Sequence, residues 1–224
     1  MLNFSTSEEN YLKTIFHLQI KDSNVTTNEL AERLHAKPAS ITDMMKKLKT
    51  RKLVNYQPYQ GFRLTAEGKR IALNIIRRHR LWEYFLAEKL KFNWDEVHEV
   101  AEQLEHVSSK KLIDKLDEYL AYPKFDPHGD PIPDTHGRME TSKQISLPEL
   151  QLNKPARICY VANQSELLLE HLQEKKIKIG AMIIVKRKFA YDDSLEIRLD
   201  NKPGLTISGQ LAKNIFVKHG SSGT

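Results

Sequence analysis

The sequence predicts a mainly α protein with a small β part, and three observations carry that prediction. Apolar residues recur at helical spacing through most of the first half of the chain. One alternating stretch, LVNYQPYQGFRLT, interrupts them around a Pro58–Gly61 turn and reads as two short strands. From Lys154 onward the runs ARICYVA, MIIVKRKF, LEIRLD, LTISG and IFVKH are short, strand-like and punctuated by Gly, Asp-Asn and Pro-Gly, which suggests a small SH3-like β-barrel.

The elements follow in order. SEENYLKTIFHLQI, residues 7–20, opens on a Ser-rich start and spaces its apolar residues as a helix. Thr26 to Glu29 has the Thr-x-x-Glu form of a capping box and starts the short helix ELAERL. Pro38 suits the first turn of the next helix, because its missing N–H would have no intrahelical partner there; this helix spans roughly Pro38–Thr50 and buries Ile41, Met44, Met45 and Leu48. Residues 66–90, Trp94–Lys111 and Lys111–Ala121 read as three further helices. YPKFDPHGDPIPDTHG is too rich in Pro, Gly and Asp to be regular. A polar stretch, residues 138–152, reads as a linker, and QSELLLEHLQEKK as a helix between the first two late strands.

Composition bounds the function. The 224 residues carry a net charge of +6, which permits a polyanionic partner without requiring one. Cys159 is alone, so one chain holds neither a disulfide framework nor a thiolate zinc site. No apolar run is long enough for a membrane span, and the N-terminus lacks the basic-then-apolar pattern of a signal peptide, so a cytoplasmic location is expected.

Two constellations point to chemistry. Two short helices with a tight turn between them, the second rich in Lys, followed by a hairpin, describe a winged helix-turn-helix. Lys37, Pro38, Ala39, Ser40, Thr42 and Asp43 would face base edges and phosphates of double-stranded DNA. Lys46, Lys47, Lys49, Arg51 and Lys52 add charge behind them, and Arg63 reaches backbone from the hairpin. A solvated Lys-rich helix face accounts for the same residues. The second constellation is VHEVAEQLEHV. With His98 at zero, Glu102 falls at about 40°, Glu105 at about −20° and His106 at about 80°, beside an apolar stripe of Val97, Val100, Ala101, Leu104 and Val107. His79 and Glu83, four apart, share a face of their own helix. Imidazole with carboxylate and no thiolate suits Mn²⁺ or Fe²⁺. A solvated face holding water and salt-bridge partners is the alternative.

The chain resembles the diphtheria toxin repressor / manganese transport regulator family of metal-dependent repressors. The resemblance rests on SEENYLKTIFHL, KPASITDMMKKLKTRKLVNYQPYQGFRLTAEG, RRHRLWEYFL, VHEVAEQLEH and PHGDPIP, with a C-terminal segment like the FeoA domain. It implies a DNA-binding winged helix-turn-helix over 1–72, a helical dimerisation and metal domain over 73–137 and an SH3-like FeoA-type domain over 153–219 beyond the linker 138–152, while the last residues, GSSGT at 220–224, read as a flexible tail. It implies a homodimer on a palindromic operator, controlling metal-homeostasis genes with Mn²⁺, or alternatively Fe²⁺, at two sites per subunit. His79, Glu83 and His98 match the ancillary site; Glu105 and His106 match the activating site. Glu102 is the residue of the manganese branch, where the iron branch has Cys. Asn10 stands where those branches have Asp or Met, and Lys13 where the manganese branch has a second acidic ligand. Two mononuclear sites are therefore expected rather than a binuclear cluster. Glu166, Glu170 and His171 are read as an exposed helix face. The competing functions are a winged-helix regulator of a non-metal ligand and a di-metal carboxylate enzyme.

Overall fold

The protein is described by a computed structural model over residues 4–19, 23–57, 61–93, 96–107, 109–140, 144–162, 165–200 and 203–219. The expected tail, 220–224, and the hairpin tip around Pro58 lie outside the described residues. Two compact units are present: residues 1–79, 102–115 and 133–138 in the first, and residues 80–101, 116–132 and 139–224 in the second. No helix is long and apolar enough to cross a membrane among the described residues.

The first unit opens with α1 (Thr6–Leu18), α2 (Thr27–Arg33) and α3 (Pro38–Thr50), then the antiparallel pair β1 (Val54–Gln57) and β2 (Gly61–Leu64). Ser5 and Thr26 each close a capping box, with Glu8 and Glu29, so both helix starts satisfy N–H groups that lack intrahelical partners. Leu12 and Ile15 of α1, Leu30 of α2, and Ile41, Met45 and Leu48 of α3 form one core with Val54, Phe62 and Leu64 of the hairpin. The hairpin is pinned by reciprocal backbone bonds between Val25 and Phe62, both 2.8 Å. Gly61 lies at φ +98°, and a Cβ there would collide with the Val25 carbonyl, so this corner needs glycine.

The long helix α4 (Ala66–Glu88) runs unbroken across residues 72 and 73, where a domain boundary was expected. Its apolar periodicity continues through that point, with Ile71, Ala72, Ile75 and Ile76 all buried. The stretch expected as one helix to Lys111 is divided, α5 covering Val97–Val107 and α6 Lys110–Tyr119, while Trp94 lies outside the described residues.

The second unit holds a six-stranded antiparallel sheet in the order β3-β8-β4-β5-β6-β7. Its strands are β3 (Ile145–Ser146), β4 (Pro155–Val161), β5 (Met182–Lys188), β6 (Leu195–Leu199), β7 (Leu205–Ile207) and β8 (Ile215–His219). Helix α7 (Glu166–Glu174) follows β4, and the short α8 (Gly209–Lys213), which the sequence reading had not separated, precedes β8. Alternate residues Ile183 and Val185, and Leu195, Ile197 and Leu199, fill one core. A bulge between Ile158 and Tyr160 shifts the phase so that Val161, not Tyr160, faces inward.

The expected linker, 138–152, needs correction. Ile145 and Ser146 pair with Val217 and Phe216, and Leu147 and Leu150 are fully buried in the sheet's core. A two-residue strand is too short to show alternation, so only its pairing reveals it. In the same unit Gly129, at φ +89°, lets the PHGDPIP loop lie on β4, since a Cβ there would strike the Cys159 carbonyl. The Val161 N–H donates to the His128 carbonyl at 3.2 Å.

Two outcomes test this packing. Gly129→Ala should lower the thermal midpoint of the second unit, because strain and overlap add; calorimetry reads it. Glu8→Ala should cost about 1–2 kcal/mol in denaturant unfolding, because it removes the acceptor of the Ser5 N–H and the carboxylate that pairs with Arg51 and Lys47. Burial raises the Glu8 pKa, but the Ser5 N–H, Arg51 and Lys47 outweigh it and hold it at about 2. The depressed value means that this contribution is complete above the ordinary pKa of 4.5 and is lost as pH falls toward 2, so the variant should also lose acid sensitivity in that window.

Candidate metal centre

Helix α1 presents charge on two sides. Its Glu8 carboxylate takes Arg51 Nη1 at 2.6 Å and Lys47 Nζ at 3.4 Å, both from α3 and its C-terminal end. The next residue, Glu9, takes Arg78 Nη2 of α4 at 2.6 Å, and its other oxygen lies 2.6 Å from His106 Nδ1 of α5. One turn further on, Lys13 Nζ stands 2.8 Å from each oxygen of Glu102 and 2.7 Å from Glu105 Oε1.

Glu105 is the centre of this group. Its side chain is fully buried. Oε1 faces Lys13 and, at 3.4 Å, His106 Nε2; Oε2 lies 2.6 Å from His79 Nδ1. His79, Glu102 and Glu105 can each offer a ligand atom, with all three atoms within 4.8 Å of one another. Within the first unit His79 therefore meets Glu105, a pairing that helical spacing on α4 does not reveal. Asn10 Oδ1, also in this unit, is buried without a hydrogen-bond partner among the described residues. The carboxylate–imidazole set, and separately the orphaned amide oxygen on α1, are donors of the kind that a divalent ion of the Mn²⁺ or Fe²⁺ class takes.

The second unit holds another group. Glu83, Asp126 and His128 are all buried, and their ligand atoms also lie within 4.8 Å of one another. His98 Nδ1 is 3.1 Å from Glu83 Oε1, with half of its side chain exposed. Asp126 accepts the N–H groups of His128 and Asp130, both at 2.9 Å. Burial pushes its carboxyl well above the usual carboxylate range, and the charges of Glu83 and Asp130 push it further; Arg80 and the Asp130 N–H oppose that only in part. Arg80 Nη2 holds Asp130 at 3.0 Å. A cation here would relieve the crowding of carboxylates, so these residues fit one as well. Asp126 and His128 were not among the expected ligands, although PHGDPIP was singled out. An Asp and a His two apart in a Pro/Gly turn were the available signal. On α7, Glu170 and His171 are exposed, and His171 stands 3.7 Å from Glu174; the Glu166 side chain lies outside the described residues.

The face expected to read DNA has a simpler layout. Lys37, Pro38, Ala39, Ser40, Thr42, Asp43, Lys46 and Lys47 are exposed along α3, and Arg63 is exposed on β2. Thr42 Oγ1 donates to the Pro38 carbonyl at 3.0 Å, while Asp43 and Lys46 pair at 3.2 Å. Arg51, expected as a phosphate cation, instead turns to Glu8 and lies over the Phe4 ring at 4.3 Å.

Glu105→Gln keeps the side-chain volume and removes the shared charge. It should abolish one phase of a calorimetric Mn²⁺ titration while far-UV circular dichroism stays unchanged. An unaltered titration removes Glu105 from the ligand set.

Three family profiles match the chain. "Iron dependent repressor, N-terminal DNA binding domain" matches residues 3–62, "Iron dependent repressor, metal binding and dimerisation domain" matches 65–134, and "FeoA domain" matches 145–219. An HTH-type transcriptional regulator of Methanocaldococcus jannaschii is 40% identical over 114 residues, which is 50% of this chain and 90% of that protein. The iron-dependent repressor IdeR of Mycobacterium leprae is 28% identical over 173 residues, 74% of this chain and 73% of its own length. The solved structure of a manganese-dependent transcriptional repressor in complex with manganese superposes with a TM-score of 0.81 at 30% identity, covering 94% of this chain and 98% of the other. With three successive domains matched in order, the chain belongs to the iron-dependent repressor family, the diphtheria toxin repressor and manganese regulator group of metal-dependent, DNA-binding transcriptional repressors, which are regulators and not enzymes.

Proposed function

We propose that this repressor binds a palindromic operator as a homodimer, and that Mn²⁺ or Fe²⁺ held at two ligand groups per subunit licenses that binding. The first group is His79, Glu102 and Glu105 with His106 and Asn10. The second is Glu83, Asp126 and His128 with His98. The observation that carries the reading is the position of α1, which touches the C-terminal end of α3 through Glu8 and the carboxylate–imidazole group of α5 through Glu9 and Lys13.

The chain's own residues then do the following. Lys37 and its neighbours at the start of α3 meet phosphates and base edges, while Lys46 and Arg63 add charge for the backbone. Glu8 anchors the far end of α3 to α1, so a shift of α1 moves the reading helix. Glu9 orients the His106 ring through Nδ1 and leaves Nε2 toward Glu105. A divalent ion there would be held by His79 of α4 and Glu102 and Glu105 of α5, and would supply the positive charge that those donors and the α1 side chains facing them share. Affinity for ion and operator must be coupled reciprocally, since both favour the same placement of α1.

Gel-shift measurements under anaerobic conditions test this reading. The operator complex should appear with Mn²⁺ or Fe²⁺ and vanish on chelation; a shift indifferent to chelator overturns the proposal. In the same assay Lys37→Ala should weaken all sequences about equally and reduce the salt slope by about one.

A further inference from the structure

The cation that Glu102 and Glu105 meet in this structure is part of the chain. We propose that Lys13 is a tethered competitor of the divalent ion: its ammonium straps α1 to α5 when no ion is bound and sets the ion concentration at which the site responds. The inference rests on the metal reading above for its second half only.

Three distances carry it. Lys13 Nζ is 2.8 Å from both oxygens of Glu102, so that carboxylate is engaged on each side, and 2.7 Å from Oε1 of Glu105. The Glu105 side chain is fully buried and the Lys13 side chain only 12% exposed, so water screens neither. Without a counter-charge the buried Glu105 carboxylate would lose hydration and face repulsion from Glu102, whose side chain is 36% exposed. Lys13 removes both costs in the ion-free chain. The same geometry blocks the ion: with Lys13 in place only Glu105 Oε2, facing His79 at 2.6 Å, remains of the four carboxylate oxygens. Glu102 can serve as a ligand only if the ammonium swings away, which the four-carbon stem of a lysine allows. Strap and lock are therefore one contact.

The contact also reaches the reading head. Glu8, five residues before Lys13 on α1, holds Arg51 at the end of α3. The ion-free chain thus keeps α5 connected to α3 through α1.

The test uses the full-length chain and Lys13→Gln, with Lys13→Arg as the variant that keeps the charge. In chelator, hydrogen exchange of the α1 amides should accelerate about tenfold in Lys13→Gln and stay near wild type in Lys13→Arg. Equal protection in Lys13→Gln and wild type, or loss of protection in both variants, overturns the strap. In calorimetry with Mn²⁺ alone, the phase that Glu105→Gln removes should tighten about tenfold or more in Lys13→Gln. Unchanged or weaker affinity in that phase overturns the competition. If the wild-type chain takes up no Mn²⁺ at all, the metal reading of the preceding subsection fails, while the exchange experiment still decides the strap.

Discussion

The charged groups that α1, α4 and α5 turn toward one another in the first unit gather around one buried carboxylate. Glu105 has no exposed surface, so each of its oxygens must meet a positive charge, an imidazole or a bound cation. Lys13, His79 and His106 do this from α1, α4 and, within its own helix, α5. Three helices are thereby placed around a single acidic group. The same group carries the donor chemistry of a ligand, so in the proposed function a structural obligation and a sensory one would fall on the same atoms.

Helix α1 turns that local demand into a connection. Its apolar face, Leu12 and Ile15, belongs to the core of the DNA-binding fold, while its charged positions face in two directions. Glu8 and Glu9 are adjacent, hence about 100° apart around the axis. That offset sends one to Arg51 and the other to His106. A rigid helix carrying both contacts transmits a small movement better than a loop would, because its backbone bonds keep the two side chains at a fixed angle. The second unit solves a similar problem differently. There Asp126 is held by N–H groups of a tight loop, and the loop is fastened to β4 by Gly129 and Val161.

Much of this was readable before any coordinates. The Thr26 capping box, the Pro38 start and the hairpin follow from local chemistry, and they appear where the spacing placed them. The lapses have a common cause. Residues 145–150 look polar and irregular, yet Leu147 and Leu150 are core residues because β8 supplies the partner for a two-residue strand. Arg51 looks like a phosphate cation in a basic run, yet a buried acid on another helix claims it. Asp126 and His128 looked like loop residues because their third member, Glu83, stands far away in sequence.

The amino-acid sequence by itself determined the longer helices and strands in their order, the DNA-reading head and the kind of donor available for a cation, while the two-residue β3 and the short α8 escaped it. These depend on spacing within one element, and a helix reports its own faces through its period. Tertiary structure alone decided which donors meet. Lys13 reaches Glu102 and Glu105 across 89 and 92 residues of chain, and no periodicity within either helix encodes that approach. Burial then gave the contact its weight, since an ammonium between two carboxylates matters little in water and a great deal where water is excluded.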